Sequence, residues 1–459
     1  MAKNKRRIDQ IPDHLKLTEK EQRDYLNKFK IKVETLDNGT QFISLNCPYP
    51  DKQRTDINAR FRTGAWNDPI GKMGLAHFTE HDIFLGCPVA KTQHENNTRI
   101  QQGGYNFSAS TGYPYTEYRL DASSGLVDPK KYGLLFGLDH FLSAITHPYV
   151  EEEPLVNEKK VIIDEYRRRI TNLESMTMRF IWEQILPVDH PHLNFITGTD
   201  ITINNIDAQT IRNYIKNTYV PNNAILTIYS EGNSLKHEKI TGILKNDWME
   251  AMKSKKGVRN SLPDYDWLSR HQDLEPQKIY RQVLPIKKNR VTVSLVRIHE
   301  IDRYSKENEA LYLASNLMHN AIFDRLRTLG YGYDPKMEAK YLPLVDLGFS
   351  QVNLELDSSK AEMLTKNIKE IFKKAVKNIV NRNYHVIEVE KQRLKALDNP
   401  ITYSNRFSEV FYGLYRFNQI IRFEDLQKVV LSVTPKDVKK WLEDFAENPG
   451  ALFIVGDIK

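Results

Sequence analysis

Cysteine is almost absent. The 459 residues include only Cys47 and Cys87. Two isolated thiols give neither a disulfide framework nor a cysteine-ligated zinc site, and a reducing, cytoplasmic setting is the expectation. Long apolar runs are missing too. None approaches the roughly 18 residues of a membrane span, so no membrane partner is expected. The basic opening, MAKNKRRIDQ, is followed by no hydrophobic segment, which argues against a secretory leader. Asp9 and Asp13 argue against a transit peptide. The net charge of +7 comes from 66 basic and 59 acidic residues. No dense Lys/Arg block with interleaved aromatics stands out, so nucleic acid is not an expected partner.

Apolar residues make up 40% of the chain and charged residues 27%. That balance fits a soluble globular protein of about two to three domains. IKVETLDNGTQFISL reads as a hairpin around Asp37-Asn38-Gly39. RTDINARFRTGAW (Arg54–Trp66) and TEYRLDASS (Thr116–Ser124) read as strands. A long helical region runs from about Pro129 to Leu173, with turn breaks near Thr146-His147-Pro148. In the second half NRVTVSLVRI and FSQVNLEL read as strands, and NEALYLASNLMHNAIFDRLRTL as a long helix.

An internal repeat organises these elements. IDAQTIRNYIKNTYVPNNAILTI begins at Ile206, VTPKDVKKWLEDFAENPGALFIV begins at Val433, and the two align without a gap. Each reads as a capped amphipathic helix, a break and a strand, with Asp207 or Thr434 as N-cap and Pro435 at the first helical position. The offset from Ile206 to Val433 is near half the chain, which implies two similar domains in tandem. The expected class is α+β, with each domain a mostly antiparallel β-sheet packed with helices on one side. The expected boundaries are a polar extension at 1–30, a first domain at 31–235, a linker at 236–275 and a homologous domain at 276–459.

The chemistry concentrates in GLAHFTEHDIFLG, Gly74 to Gly86. His77 and His81 are four residues apart, which puts both imidazoles on one helical face. That spacing lets two ligands reach one zinc at about 2.0–2.1 Å. Glu80 lies beside them, placed to accept a proton from water at an open coordination position. A third ligand is needed. NEKKVIIDEYRRR offers Glu158 and Glu165, two turns apart on one face, with Val161 and Ile162 flanking it for packing. One carboxylate would ligate and the other support a ligand or the proton traffic.

These residues resemble the inverted-zincin metallopeptidases of the insulinase, pitrilysin and mitochondrial processing peptidase family, in a half-length two-domain form. GLAHFTEH resembles the family's H-x-x-E-H motif. LDNGTQF, RTGAW, EKKVIIDE, TYVPNNAILTI and RLRTLGYGY resemble its accompanying motifs, and the likeness runs from about residue 33 to the C-terminus. The resemblance implies His77, His81 and Glu165 as ligands of one Zn2+, Glu80 as general base, and Glu158 as auxiliary carboxylate. It implies Tyr333, with Arg327, as the group that reaches from the second domain to the scissile carbonyl.

Three departures stand out. The interval from His81 to Glu165 is longer than is usual, with the insertion expected in CPVAKTQHENN. GGYNFSAST places Ser108 and Ala109 where the family has Asn-Ala on its substrate-docking strand, with Asn106 close by. Asp82 follows the motif where an apolar residue is usual, as a partner of an imidazole or as a solvated group. The implied function is a zinc-dependent metalloendopeptidase acting on extended peptides, which would add as a strand near Ser108–Thr111. The alternative is a catalytically silent partner subunit of the same fold. Single-chain members of the family carry four such domains, so a homodimer or a pairing with a similar chain is expected.

Overall fold

Alternating burial builds the sheets. In the strand Arg54–Phe61, Thr55, Ile57, Ala59 and Phe61 are buried while the residues between them are not. The period of two sends one face to the core. The computed structural model describes residues 11–47, 54–123, 133–232, 234–257, 260, 270–275, 278–284, 286–287, 289–331, 336–342, 347–398 and 402–458. The first sheet holds β1 (Lys32–Thr35), β2 (Gln41–Cys47), β3 (Arg54–Phe61), β4 (Tyr105–Thr111), β5 (Thr116–Ser123) and β6 (Ala224–Glu231), in the order β1-β2-β6-β3-β5-β4. The second holds β7 (Ile279–Val283), β8 (Arg290–His299), β9 (Lys336–Leu342), β10 (Leu347–Asp357) and β11 (Ala451–Gly456), in the order β7-β11-β8-β10-β9.

The helices of the first half are α1 (Glu19–Phe29), α2 (Leu75–Asp82), α3 (Gln93–Gly103), α4 (Leu134–Thr146), α5 (Glu152–Ile170), α6 (Leu173–Ile185), α7 (Asp200–Asn204), α8 (Ala208–Thr218) and α9 (Ser234–Met252). Those of the second are α10 (Lys306–Thr328), α11 (Ser358–Asn381), α12 (Tyr384–Asp398), α13 (Tyr403–Phe417), α14 (Phe423–Ser432) and α15 (Pro435–Glu447). Among the described residues, no helix is long and apolar enough to cross a membrane.

The duplication is visible in the topology. The order β2-β6-β3-β5-β4 has the same connectivity as β7-β11-β8-β10-β9, and in each, among the described residues, the sole parallel pairing is the first, β2 with β6 and β7 with β11. The repeat read from the sequence keeps its register. Helices α8 and α15 start at Ala208 and Pro435, strands β6 and β11 at Ala224 and Ala451, and both pairs keep the offset of Ile206 to Val433. Both N-caps form: Asp207 accepts from the Thr210 N–H, and Thr434 from the Asp437 N–H.

Two expectations change. Helices do not lie on one side only. The outer face of the first sheet receives α13 of the second half, whose Phe407, Val410 and Leu414 pack with Ile43, Leu45 and Ile225. The outer face of the second sheet receives α6 of the first half, whose Ile181, Trp182 and Ile185 pack with Val296, Phe349 and Phe453. Each half thus covers apolar strand surface of the other, and hydrophobic burial couples them. The stretch expected as a linker opens with α9. Its Leu244, Trp248 and Met252 are fully buried in the first core, and Trp248 Nε1 donates to Thr40 Oγ1 at 2.9 Å. The polar residues of this stretch form an outer face and hid the buried one.

Trp248→Ala is expected to cost about 3–5 kcal/mol, read as a lowered urea midpoint. An unstructured linker would tolerate the change.

Burial also holds imidazoles neutral. His140 and His237 are pushed down to about 4, and His192 and His299 to about 3, by loss of solvent and nearby charge. An unfolded imidazole binds its proton near pH 6.5, so the unfolded state gains protons first as pH falls. The contribution of these four imidazoles to stability should be full above about pH 6.5 and decline as pH falls toward 4. His299→Gln is expected to reduce that decline by about 1–2 kcal/mol in urea titrations at pH 7 and pH 5.

Candidate metal centre

Helix α2 is seated by its apolar residues. Leu75, Ala76 and Phe78 are buried in the first core. Its N-cap, Gly74, has φ +93° and no side chain to cap the helix. A Cβ there would lie 2.7 Å from the Thr197 carbonyl oxygen, so glycine is required. The missing cap comes from Asp68, whose carboxylate accepts from the Gly74 N–H at 2.7 Å and the Ala76 N–H at 2.9 Å. Burial nonetheless pushes the Asp68 carboxyl up to about 8, against the pull of those amides.

Helix α5 packs on α2. Leu155, Glu158 and Ile162 are buried. Val161, expected to share the packing, is 47% exposed, so Ile162 makes that contact without it. The two helices bring His77, His81 and Glu165 together, with one donor atom from each within 4.8 Å of the others. Glu165 Oε2 is 3.6 Å from His77 Nε2 and 4.0 Å from His81 Nε2. Ligands of a tetrahedral zinc stand roughly 3.3–3.4 Å apart, so a small contraction fits this set to the ion. Among the described residues no other such group of three occurs.

The neighbours orient these donors. His81 Nδ1 donates to Glu158 Oε1 at 2.7 Å, which leaves Nε2 bare on the side of the cluster. Arg169 donates to Glu165 Oε1 at 3.0 Å, which leaves Oε2 facing the imidazoles. Burial works against protonation of His81, yet the Glu158 hydrogen bond and charge, with Glu80 and Glu165, hold it above its usual value. His77 lies below its usual value because it is buried and next to His81. Burial raises Glu165, but the Arg169 hydrogen bond and the imidazoles outweigh it, and the group lies low.

Glu80 is buried beside the cluster, and Thr111 Oγ1 donates to its Oε2 at 2.6 Å. Burial pushes the Glu80 carboxyl up, with the Thr111 hydrogen bond pulling back. Asp82 is neither of the things expected. It is fully buried, both its carboxyl oxygens lack a hydrogen-bond partner among the described residues, and Glu158 takes the imidazole instead. Its carboxyl lies well above the usual range, through burial and the Glu158 charge.

Strand β4 is the edge of its sheet, paired with β5 on one side. Asn106 and Ser108 are exposed and share a face, while Ala109 lies on the other and packs partly against the core. Thr111, the last residue of β4, ties that edge to Glu80. Arg327 is exposed in the last turn of α10, and among the described residues no hydrogen bond or ion pair links it to the cluster. Tyr333 lies outside the described residues.

The sequence pattern assigned no role to Asp68 or Arg169, and marked Thr111 only as the end of the docking strand. Arg169 carried a usable signal, since it stands one turn after Glu165. Asp68 and Thr111 act across turns and strands, where spacing carries none.

The family model described as Insulinase (Peptidase family M16) matches residues 49–185, and the one described as Peptidase M16 inactive domain matches residues 205–384. The chain belongs to the insulinase, or M16, peptidase family. Like this M16 chain, two solved structures have the two-domain fold. A protease from Helicobacter pylori superposes with TM-score 0.70 at 19% identity, over 93% of this chain and 99% of that one. A Peptidase M16 inactive domain from Pseudomonas fluorescens gives TM-score 0.71 at 14% identity, over 94% and 98%. Among curated proteins, the zinc protease PqqE of Helicobacter pylori is 26% identical over 44% of each chain. Human insulin-degrading enzyme is 21% identical over 71% of this chain and 30% of that protein. The alignments thus span less than half the length of either curated relative.

Asp68→Ala is expected to cost about 1–2 kcal/mol, as loss of a helix cap does, and Asp68→Asn less, both read from urea midpoints.

Proposed function

We propose that this M16 chain is a zinc-dependent endopeptidase. The observation that carries the reading is the meeting of three bare donors, His77 Nε2, His81 Nε2 and Glu165 Oε2, beside a buried carboxylate at the end of an open sheet edge. When bound by those donors, zinc supplies Lewis acidity toward a peptide carbonyl and lowers the pKa of water.

The chain's own residues do the rest. Thr111 occupies Glu80 Oε2, so Oε1 is the oxygen that takes the proton from the attacking water and returns it to the leaving amine. Burial raises the proton affinity of Glu80, which suits a base that must later act as an acid. The edge of β4 that no described strand pairs offers backbone groups to an extended peptide and would hold it in register with Glu80. Ser108 and Asn106 present side chains there, and Ala109 contributes its backbone. Glu158 keeps the His81 tautomer. Tyr333, with Arg327, would supply the donor to the developing oxyanion.

A second chain of this fold, identical or similar, would complete the enclosure that longer relatives build in one polypeptide. A cytoplasmic setting agrees with Cys47 and Cys87, both buried and outside any disulfide. One observation favours the alternative of a silent partner subunit: residues 205–384 match a model described as an inactive domain.

The test uses the purified full chain, its zinc content and a quenched-peptide library. Glu80→Gln is expected to keep one zinc while activity falls about 10²–10⁴-fold. His77→Ala and Glu165→Ala are expected to lose the zinc. A zinc-replete chain that cleaves no peptide would establish the silent subunit instead, and unchanged zinc in both ligand variants would place the metal elsewhere.

A further inference from the structure

A cavity lies where the end of α4, one flank of α8 and the segment after α9 meet. Its volume is about 560 Å³. Arg212, Lys216, Lys255 and Lys256 line it, joined by His147, and among the described residues no carboxylate does. Among the described residues, the one carboxyl felt by this cluster is the buried Asp82, behind the wall, whose proton affinity the Arg212 charge lowers. The Arg212 guanidinium is held by neutral acceptors, the Val150 carbonyl at 2.6 Å and the Gln209 side-chain oxygen at 3.2 Å. Lys216, Lys255 and Lys256 enter no ion pair among the described residues.

Lys255 is the informative member. It is half-buried, and loss of solvent alone pushes its ammonium down to about 8. A desolvated cation with no partner opposes folding, and a bound anion would offset that cost. His147 Nδ1 pairs with Thr146 Oγ1 at 2.8 Å, so its other ring nitrogen remains to donate or accept. The remaining wall is Thr146 and Ser254 together with an apolar patch. Pro148, Val150 and Ile215 form that patch, and Val150 and Ile215 are buried. A basic cluster against an apolar patch, in a volume well above that of one inorganic ion, matches a dianionic head on a small organic body.

We propose that this cavity binds a small phosphate monoester. Lys255, Lys256, Lys216 and Arg212 take the phosphate oxygens, and Val150 and Ile215 cover the organic group. The charge-assisted contacts supply most of the affinity, so binding weakens as ionic strength rises.

Calorimetric titration of phenyl phosphate into the full chain tests this at low ionic strength. Prior removal of metal keeps the ligand from reading the zinc centre. The expected result is one saturable site with a Kd on the order of 0.1–1 mM, displaced by inorganic phosphate. Lys255→Gln is expected to weaken it about ten-fold or more, and Lys255→Arg to keep it within about three-fold. The double variant Lys216→Gln/Lys256→Gln changes two exposed side chains, keeps the fold and is expected to weaken binding similarly. No saturable heat in the parent chain would overturn the proposal, as would an affinity left unchanged by both Lys255→Gln and the double variant.

Discussion

The contact on which the centre depends is the packing of α5 on α2, closed by the hydrogen bond from His81 Nδ1 to Glu158 Oε1. Neither helix carries a complete set of donors. His77 and His81 share a face of α2, while Glu165 comes from α5. Ile162 and Leu155 hold α5 in the core, and Glu158, buried between the helices, must find a polar partner or be left desolvated. His81 is that partner. One hydrogen bond therefore satisfies a buried carboxylate, selects an imidazole tautomer and aims Nε2 at Glu165. The same seating places Glu80 against Thr111, so the proton-accepting group and the end of the sheet edge are set by the same helix.

The second half supports this centre without duplicating it. Its sheet repeats the strand order of the first, yet α10 holds a single histidine, His319, and no H-x-x-E-H. Among the described residues, what the second half contributes to the first is surface. Helix α13 covers the outer face of the first sheet and α6 covers that of the second, so each half buries strands that would otherwise expose apolar residues. Arg62 takes part in that interface, donating to the Leu414 carbonyl and stacking on the Tyr415 ring. Tyr415 of the same helix also donates to the Pro114 carbonyl at 3.0 Å, in the turn that joins the edge strand β4 to β5.

Much of the fold was legible because its signals are local. The hairpin at Asp37-Asn38-Gly39, the capped helices at Asp207 and Thr434, and the gapless repeat of helix, break and strand all rest on neighbours within one turn or one strand. The exchange of α6 and α13 was not legible. Both helices are amphipathic, and an amphipathic pattern states that a face is buried without stating against what. Helix α9 reads as linker for a related reason. Its many polar residues lie on the solvent side, and Leu244, Trp248 and Met252 show a buried face only once β2 and α4 are beside it.

The sequence by itself determined the candidate donors. Four-residue spacing on one helix and seven-residue spacing on another set which side chains can share a face, since helical geometry depends on nothing distant. Only the tertiary structure decided how those side chains divide their work. It set Glu158 on His81 Nδ1, Arg169 on one oxygen of Glu165, and Thr111 on Glu80. It also buried the Asp82 carboxyl with no hydrogen bond from the described residues, against both readings its sequence position allowed. Those outcomes depend on which atoms meet within about 3 Å after the helices pack, a distance that periodicity does not encode.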